Sequence, residues 1–208
     1  MPQAVVRIYA NSGPLLDVAR EQQAKIVDTM RDLPGLQVYS VSGDDASATA
    51  VSITVCADKA GIDESVKRGA AIVKELLPDA NVAAPRVLSG EIVLRLAAED
   101  VASRTGNPHL MLRLYHQAFP EGVAENEAAL KQDMRAIPEW RVFSGFVDVA
   151  TGHGVVVMAA DNAAGLEKMV EALKAWGQAA LHVTPEPPEV VTASRIFRFD
   201  AASEATPA

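Results

Sequence analysis

Residues 30–40 read MRDLPGLQVYS, and residues 134–144 read MRAIPEWRVFS. Met, Arg, Pro, Val and Ser recur in the same order 104 positions later, and Tyr39 is answered by Phe143. Gly61 returns as Gly165 at the same spacing. Upstream, VVRIYAN at 5–11 is matched by MLRLYHQ at 111–117. Downstream, PRVLSGEIVLRL at 85–96 is matched by PEVVTASRIFRF at 188–199. Three blocks in one order, with small changes of offset at loops, are what a diverged duplication leaves behind.

Each copy reads as strand, helix, strand, strand, helix, strand. Val5–Ala10 alternates like a strand, and Ser12, Gly13 and Pro14 mark a helix start. Leu16, Ala19, Ile26, Met30 and Leu33 make one helical stripe, stopped by Pro34-Gly35. Leu36–Val41 and Ala50–Cys56 follow as strands, the second rich in β-branched residues. A second helix carries Ile62, Val66, Val73 and Leu76 on one face, Pro78 ends it, and Val87–Leu96 is the last strand. In the second copy the helices carry Val123, Leu130, Met134 and Ile137, then Leu166, Met169, Val170, Leu173 and Trp176. The expected organisation is a first repeat over 1–96, a polar linker over 97–108, a second repeat over 109–199 and a frayed tail over 200–208. PEPPE at 185–189 reads as a stiff, extended surface loop.

Composition narrows the function. The 208 residues are 49% hydrophobic, enough for a sizeable core. A net charge of −8 with no Lys/Arg cluster argues against nucleic acid. No apolar run approaches a membrane span, and the N-terminus lacks the pattern of a signal peptide, so a cytoplasmic protein is expected. The single cysteine, Cys56, excludes an internal disulfide and a thiolate zinc cluster. Phosphate-loop, dinucleotide, nucleophile-elbow and HExxH patterns are absent.

One βαββαβ unit makes a four-stranded antiparallel sheet with its helices on one face. The open face needs a cover, and a second sheet supplies it. The expected fold class is therefore α+β: two ferredoxin-like βαββαβ repeats packed sheet to sheet as a single-chain α+β barrel. The strand VVRIYAN, the helix end LPG before LQVYSVS, and VSITVCADKAG resemble the dimeric α+β barrel superfamily, most nearly its antibiotic-biosynthesis-monooxygenase-like branch. That resemblance implies a small-molecule ligand and a monomer or homodimer. It spans cofactor-free oxygenases, haem-degrading enzymes, lyases and isomerases, so it does not fix an activity.

Alternation places Arg7 and Tyr9 on one strand face, and Arg113 and Tyr115 on the matching face of the second copy. The more uniformly apolar face is expected under the helices, which turns these four into the barrel. Arg95 and Arg198 match on the last strands and are expected to join them. Clustered buried arginines call for carboxylates or an anionic ligand. All four histidines, both tryptophans and all five phenylalanines lie after residue 108, which suggests one surviving site in the second half. His116 and Tyr115 are the candidate base or proton relay, Arg113 and Arg7 the anion stabilisers. Tyr9, Arg95, Arg198 and Trp176 complete the expected ligand-binding set. The leading expectation is a cofactor-independent, monooxygenase-like reaction on an aromatic or enolisable substrate, with no cofactor or metal. The alternative is a non-catalytic binding or structural barrel. A third reading is haem binding: the haem-degrading relatives use an Asn, a Trp and a His, and Asn11, Trp176 and His182 are of those types, although Gln117 stands at the Asn11 position of the second copy.

Overall fold

The computed structural model describes every residue except Asn81, Ala102, Pro185 and 202–208. In chain order the elements are β1 (Gln3–Tyr9), α1 (Gly13–Glu21), α2 (Gln23–Arg31), β2 (Leu36–Asp44), β3 (Thr49–Cys56), α3 (Lys59–Leu76) and β4 (Arg86–Ala97). There follow β5 (His109–Leu114), α4 (Glu127–Arg135), β6 (Trp140–Val147), β7 (Gly154–Ala160), α5 (Ala163–Ala180) and β8 (Glu189–Asp200). The fold is α+β, an eight-stranded antiparallel barrel with five helices among the described residues. No helix of the described residues is long and apolar enough to cross a membrane. The chain divides into two compact units, Met1–Gly90 with the chain from Ala193 onward, and Glu91–Thr192.

In the first unit the sheet order is β1-β3-β2-β8. Arg7 stands opposite Ser52, Tyr39 opposite Thr54, and Ser40 opposite Arg198. The expected single helix is two, because the chain breaks at Gln22 between α1 and α2. Met30, 0% exposed, anchors α2 in a core with Val5, Ile26, Tyr39, Ile62, Phe197 and Phe199. Such a side chain contributes roughly 1.5–3 kcal/mol. Asp58 caps α3 by accepting from Gly61 N at 3.1 Å. A Cβ at Gly61 would lie 2.2 Å from the Pro34 carbonyl oxygen, so the close approach of α3 requires glycine there. On α3 the buried residues are Gly61, Ile62, Ser65 and Ile72, while Val66 is exposed, so the packed face is rotated from the expected stripe.

In the second unit the order is β5-β7-β6-β4. Met134 takes the place of Met30 in a larger core with Leu130, Trp140, Phe143, Met158, Leu166, Met169 and Trp176. Asn162 caps α5 through Gly165 N at 2.8 Å, and a Cβ at Gly165 would lie 2.7 Å from Glu139 Cβ. These close approaches give the physical reason for the recurring Gly61 and Gly165. The helix expected from Val123 is shorter: Gln117–Asn126 is irregular, with Gly122 at φ 86°, and α4 begins at Glu127.

Around the closed barrel the strand order is β1-β3-β2-β8-β5-β7-β6-β4, so the expected sets β4-β1-β3-β2 and β8-β5-β7-β6 each keep their four strands adjacent. Ile92–Ala97 of β4 pairs with Phe146–Val142 of β6, and 194–200 of β8 pairs with 43–38 of β2. The expected linker is less free than its composition implies. Arg104 Nη1 donates to Pro138 O (2.8 Å), Trp140 O (3.1 Å) and Asp161 Oδ2 (3.1 Å). Arg141 donates to Thr105 O at 2.7 Å and to Asp161. Ala98 and Val101 pack on the core of the second unit. The Arg104 hydrogen bond holds the Asp100 carboxyl below the usual carboxylate range. The expected tail lies outside the described residues beyond Ala201.

Candidate functional site

The expected orientation of Arg7, Tyr9, Arg113 and Tyr115 is reversed. Arg7 points under α3: its Nη2 donates to Ser65 Oγ at 2.7 Å, and a Cβ at Gly69 would lie 3.4 Å from its Nε. Nη1 donates to Thr54 Oγ1 (3.3 Å) and Ser52 Oγ (3.5 Å), and Nε has no partner. Arg7 is 2% exposed, and no carboxylate pairs with it among the described residues. Burial pulls its pKa below the ordinary value, against the opposing effects of Tyr39, Tyr9 and Cys56. Burial also pushes the Tyr39 and Tyr9 phenols up, and the Cys56 thiol up to about 11, so all three are neutral near pH 7.

The same strand position in the second unit has different surroundings. Arg113 stands opposite Val156 where Arg7 stands opposite Ser52. Met158 opposes Phe143 where Thr54 opposes Tyr39, and Met169 lies four residues after Gly165 as Ser65 lies four after Gly61. Three hydroxyls are replaced by three apolar side chains. Arg113, 8% exposed, donates from Nε to Tyr115 Oη at 3.0 Å, with its guanidinium 5.8 Å from the ring centroid.

Tyr115 is also on the wall of a cavity of about 250 Å³ wholly within the second unit. Leu94, Phe143, Gly145 and Val156 form the sheet side, and Leu173, Trp176 and Gly177 the α5 side. The irregular segment Gln117–Pro120, with Val123, closes another side. Phe119 wedges against the sheet: Cβ atoms at Gly145 and Gly154 would lie 3.2 and 2.9 Å from its ring. Trp176 has its Nε1 engaged with Asn126 O at 3.1 Å and presents carbon to the cavity. Tyr115 and Gln117 are the wall side chains with a free hydrogen-bonding capacity. In the first unit the corresponding space is about 50 Å³, because α1 brings Leu15, Val18 and Ala19 onto Tyr9, Tyr39 and Val41. The cavity of the second unit exists where the counterpart of α1 is missing.

Of the expected residues, Tyr115, Arg113 and Trp176 come together at this cavity. His116 is exposed, off the cavity wall, and meets His153 edge-on with ring centroids 5.8 Å apart. Tyr9 lines the small space in the first unit. Arg95 is exposed on β4, and Arg198 is half-buried on β8 with Asp200 2.5 Å from its Nε; neither is on the wall of either of these two spaces. His182 is exposed, with φ 53°, at the end of α5, and Asn11 belongs to the first unit, so the expected Asn–Trp–His set is not assembled on the cavity wall. Sequence reading missed Phe119, Phe143, Leu173 and Gly177. The paired glycines Gly145 and Gly154 on adjacent strands were the available signal for Phe119.

No protein-family model matches the chain, and no curated protein matches it. Solved structures do. A proposed monooxygenase from Fusobacterium nucleatum superposes with TM-score 0.69 at 8% identity, covering 96% of this chain and 94% of its own. A proposed monooxygenase from Lactobacillus acidophilus gives 0.65 at 12%, covering 96% of each chain. An anthrone oxidase-like protein gives 0.59 at 14%, covering 100% of this chain and 96% of its own. Likeness at these identities establishes the fold.

Proposed function

We propose that the chain is a tandem duplicate in which the second copy keeps an open site, and that this site binds a planar, largely apolar small molecule through one oxygen. The observation that carries the reading is the cavity of about 250 Å³ in which Tyr115, itself held by Arg113 Nε at 3.0 Å, stands in an otherwise apolar wall. Arg113 donates to the phenolic oxygen, which leaves the phenolic hydrogen for a ligand carbonyl. The nearby cation strengthens that donor wherever negative charge develops on the ligand oxygen.

This arrangement suits cofactor-independent oxygenation of an aromatic or enolisable ketone, the chemistry consistent with the monooxygenase-like and anthrone oxidase-like structural neighbours. Loss of a proton from an activated CH₂ gives an enolate whose oxygen Tyr115 stabilises. The carbanion reduces dioxygen, one oxygen atom becomes a carbonyl on that carbon, and the other leaves as water. The substrate supplies all the electrons. His116, next in the chain and open to solvent, is the proposed route by which the proton leaves. The apolar walls exclude water from the carbanion. The binding-only reading differs in one respect: the ligand leaves unchanged.

Titrating the protein with an anthrone while following Trp176 fluorescence and dioxygen uptake tests both readings. Saturable quenching with uptake is expected, and Tyr115→Phe should lower kcat by on the order of 10²-fold, the usual cost of one oxyanion donor. Quenching without uptake leaves only the binding function. Absence of quenching refutes the cavity as a site.

A further inference from the structure

One wall of the second unit's cavity is chain without helix or strand. It is tied at two points. Gln117 O accepts from Gly154 N at 2.8 Å, and Gly122 O accepts from Asn126 N at 3.1 Å and from Asn126 Nδ2 at 2.9 Å. Between these ties, 118–121 makes no backbone hydrogen bond among the described residues. The placing of this stretch therefore rests on side-chain packing, and its one aromatic residue is the half-buried Phe119.

The Phe119 ring rests on two glycines of neighbouring strands. A Cβ at Gly145 of β6 would lie 3.2 and 3.3 Å from its Cε2 and Cζ. A Cβ at Gly154 of β7 would lie 2.9 and 3.1 Å from its Cε1 and Cδ1. Glycine at both places lets the ring lie against the sheet backbone. The first unit differs at the matching positions. Val41 stands opposite Ser52 where Gly145 stands opposite Val156, and Ala50 stands opposite Gly43 where Gly154 stands opposite Val147. Side chains fill that seat in the first unit, and the ring of Phe119 fills it in the second. Phe119 and Gly145 are both on the cavity wall with Tyr115, Phe143 and Trp176. The depth at which the ring sits thus fixes how much of the cavity is left for a ligand.

We infer that Phe119 is the size-determining residue of this site. Seated on Gly145 and Gly154, its ring leaves room for a fused-ring ligand; held off that seat, it restricts the site to smaller ones. The inference rests on the cavity being the ligand site, as proposed above. Because 118–121 has no backbone bonds to break, the wall yields to a change beneath the ring without disturbing the sheet.

The test uses the full chain, with anthrone as a three-ring probe and α-tetralone as a two-ring probe, each titrated against Trp176 fluorescence. Gly145→Ala puts a methyl under Cε2 and Cζ and lifts the ring toward the cavity. One methylene in an apolar pocket discriminates between ligands by roughly 10–200-fold. Anthrone affinity should therefore fall by on the order of 10-fold, with α-tetralone changed little. Phe119→Ala should move the anthrone-to-tetralone affinity ratio the other way. When the two substitutions are combined, Gly145→Ala should add nothing, because the ring through which it acts is gone. A ratio unmoved by either substitution overturns the inference, and so does an effect of Gly145→Ala that persists in the combined variant. If Gly145→Ala does not fold, a ratio unmoved in Phe119→Ala overturns it. Wild type that binds neither ketone refutes the cavity as the site and this inference with it. Wild type that binds both, with a ratio insensitive to Phe119, refutes the size assignment alone.

Discussion

Replacing Arg113 with Met separates the proposed architecture of the second unit from its main competitor. The substitution keeps most of the stem and removes the charge. Two terms oppose each other. The bond from Nε to Tyr115 Oη, 3.0 Å, is lost, a charged hydrogen bond of about 1.5–3 kcal/mol. A guanidinium that is 8% exposed and has no carboxylate partner among the described residues is also removed, which relieves a desolvation cost of several kcal/mol. Tyr115 borders a cavity of about 250 Å³, roomy enough for a replacement water, so its hydroxyl is not stranded. The terms nearly cancel, and urea unfolding followed by fluorescence should show a change within about 1 kcal/mol. Had a buried carboxylate been the partner, the same change would strand it and cost about 3–5 kcal/mol. A loss of that size would refute the geometry described for Arg113. Affinity for an anthrone should fall in the variant, because Tyr115 loses the cation that strengthens it as a donor; an unchanged affinity would show that the Arg113–Tyr115 bond does nothing for the site.

Two further outcomes are expected. Gly177→Ala should stabilise the ligand-free protein by about 1 kcal/mol, because a helix-interior glycine is replaced and the new Cβ meets nothing closer than Val183 O at 3.8 Å; its methyl reaches the cavity wall, so anthrone quenching should weaken in the same variant, measured by melts and titration side by side. Residues 1–98 expressed alone should self-associate or remain unfolded in sedimentation experiments, because the β2 edge is paired by 194–200 of β8 and would be left bare; a well-folded monomer would contradict that.

The recurrence MRDLPGLQVYS/MRAIPEWRVFS was enough to reach an α+β barrel, because it repeats the residues that close packing holds fixed. Met30 and Met134 are both 0% exposed, and Gly61 and Gly165 both lack room for a side chain. What alternation could not decide was which strand face the helices cover. Both faces are buried here: every residue of β7 is buried, so no polar face marks an outside. The deciding information was on the helix. Ser65 and Gly69 follow Gly61 at intervals of four, a small and polar stripe that suits an arginine beneath it and not an apolar sheet. The cavity of the second unit was half legible: Phe119, Phe143 and Trp176 of the aromatics after residue 108 stand on its wall, while Phe197 and Phe199 pack in the first unit, and the opening comes from an irregular segment where the first unit has α1.

The two arginines show one strand position in two settings. Arg7 and Arg113 occupy matching strand positions, each on the helix side of its sheet and each without a carboxylate partner among the described residues. Around Arg7 the chain placed Ser52, Thr54 and Ser65 and filled the space above with α1. Around Arg113 the matching positions are Val156, Met158 and Met169, an irregular segment stands where the first unit has α1, and Tyr115 is the hydrogen-bond partner. Hydroxyls bond the Arg7 guanidinium within a filled core, whereas the hydroxyl that Arg113 polarises stands on an otherwise apolar wall with room beside it. The effect of a buried charge is set by the few side chains that decide what can approach it.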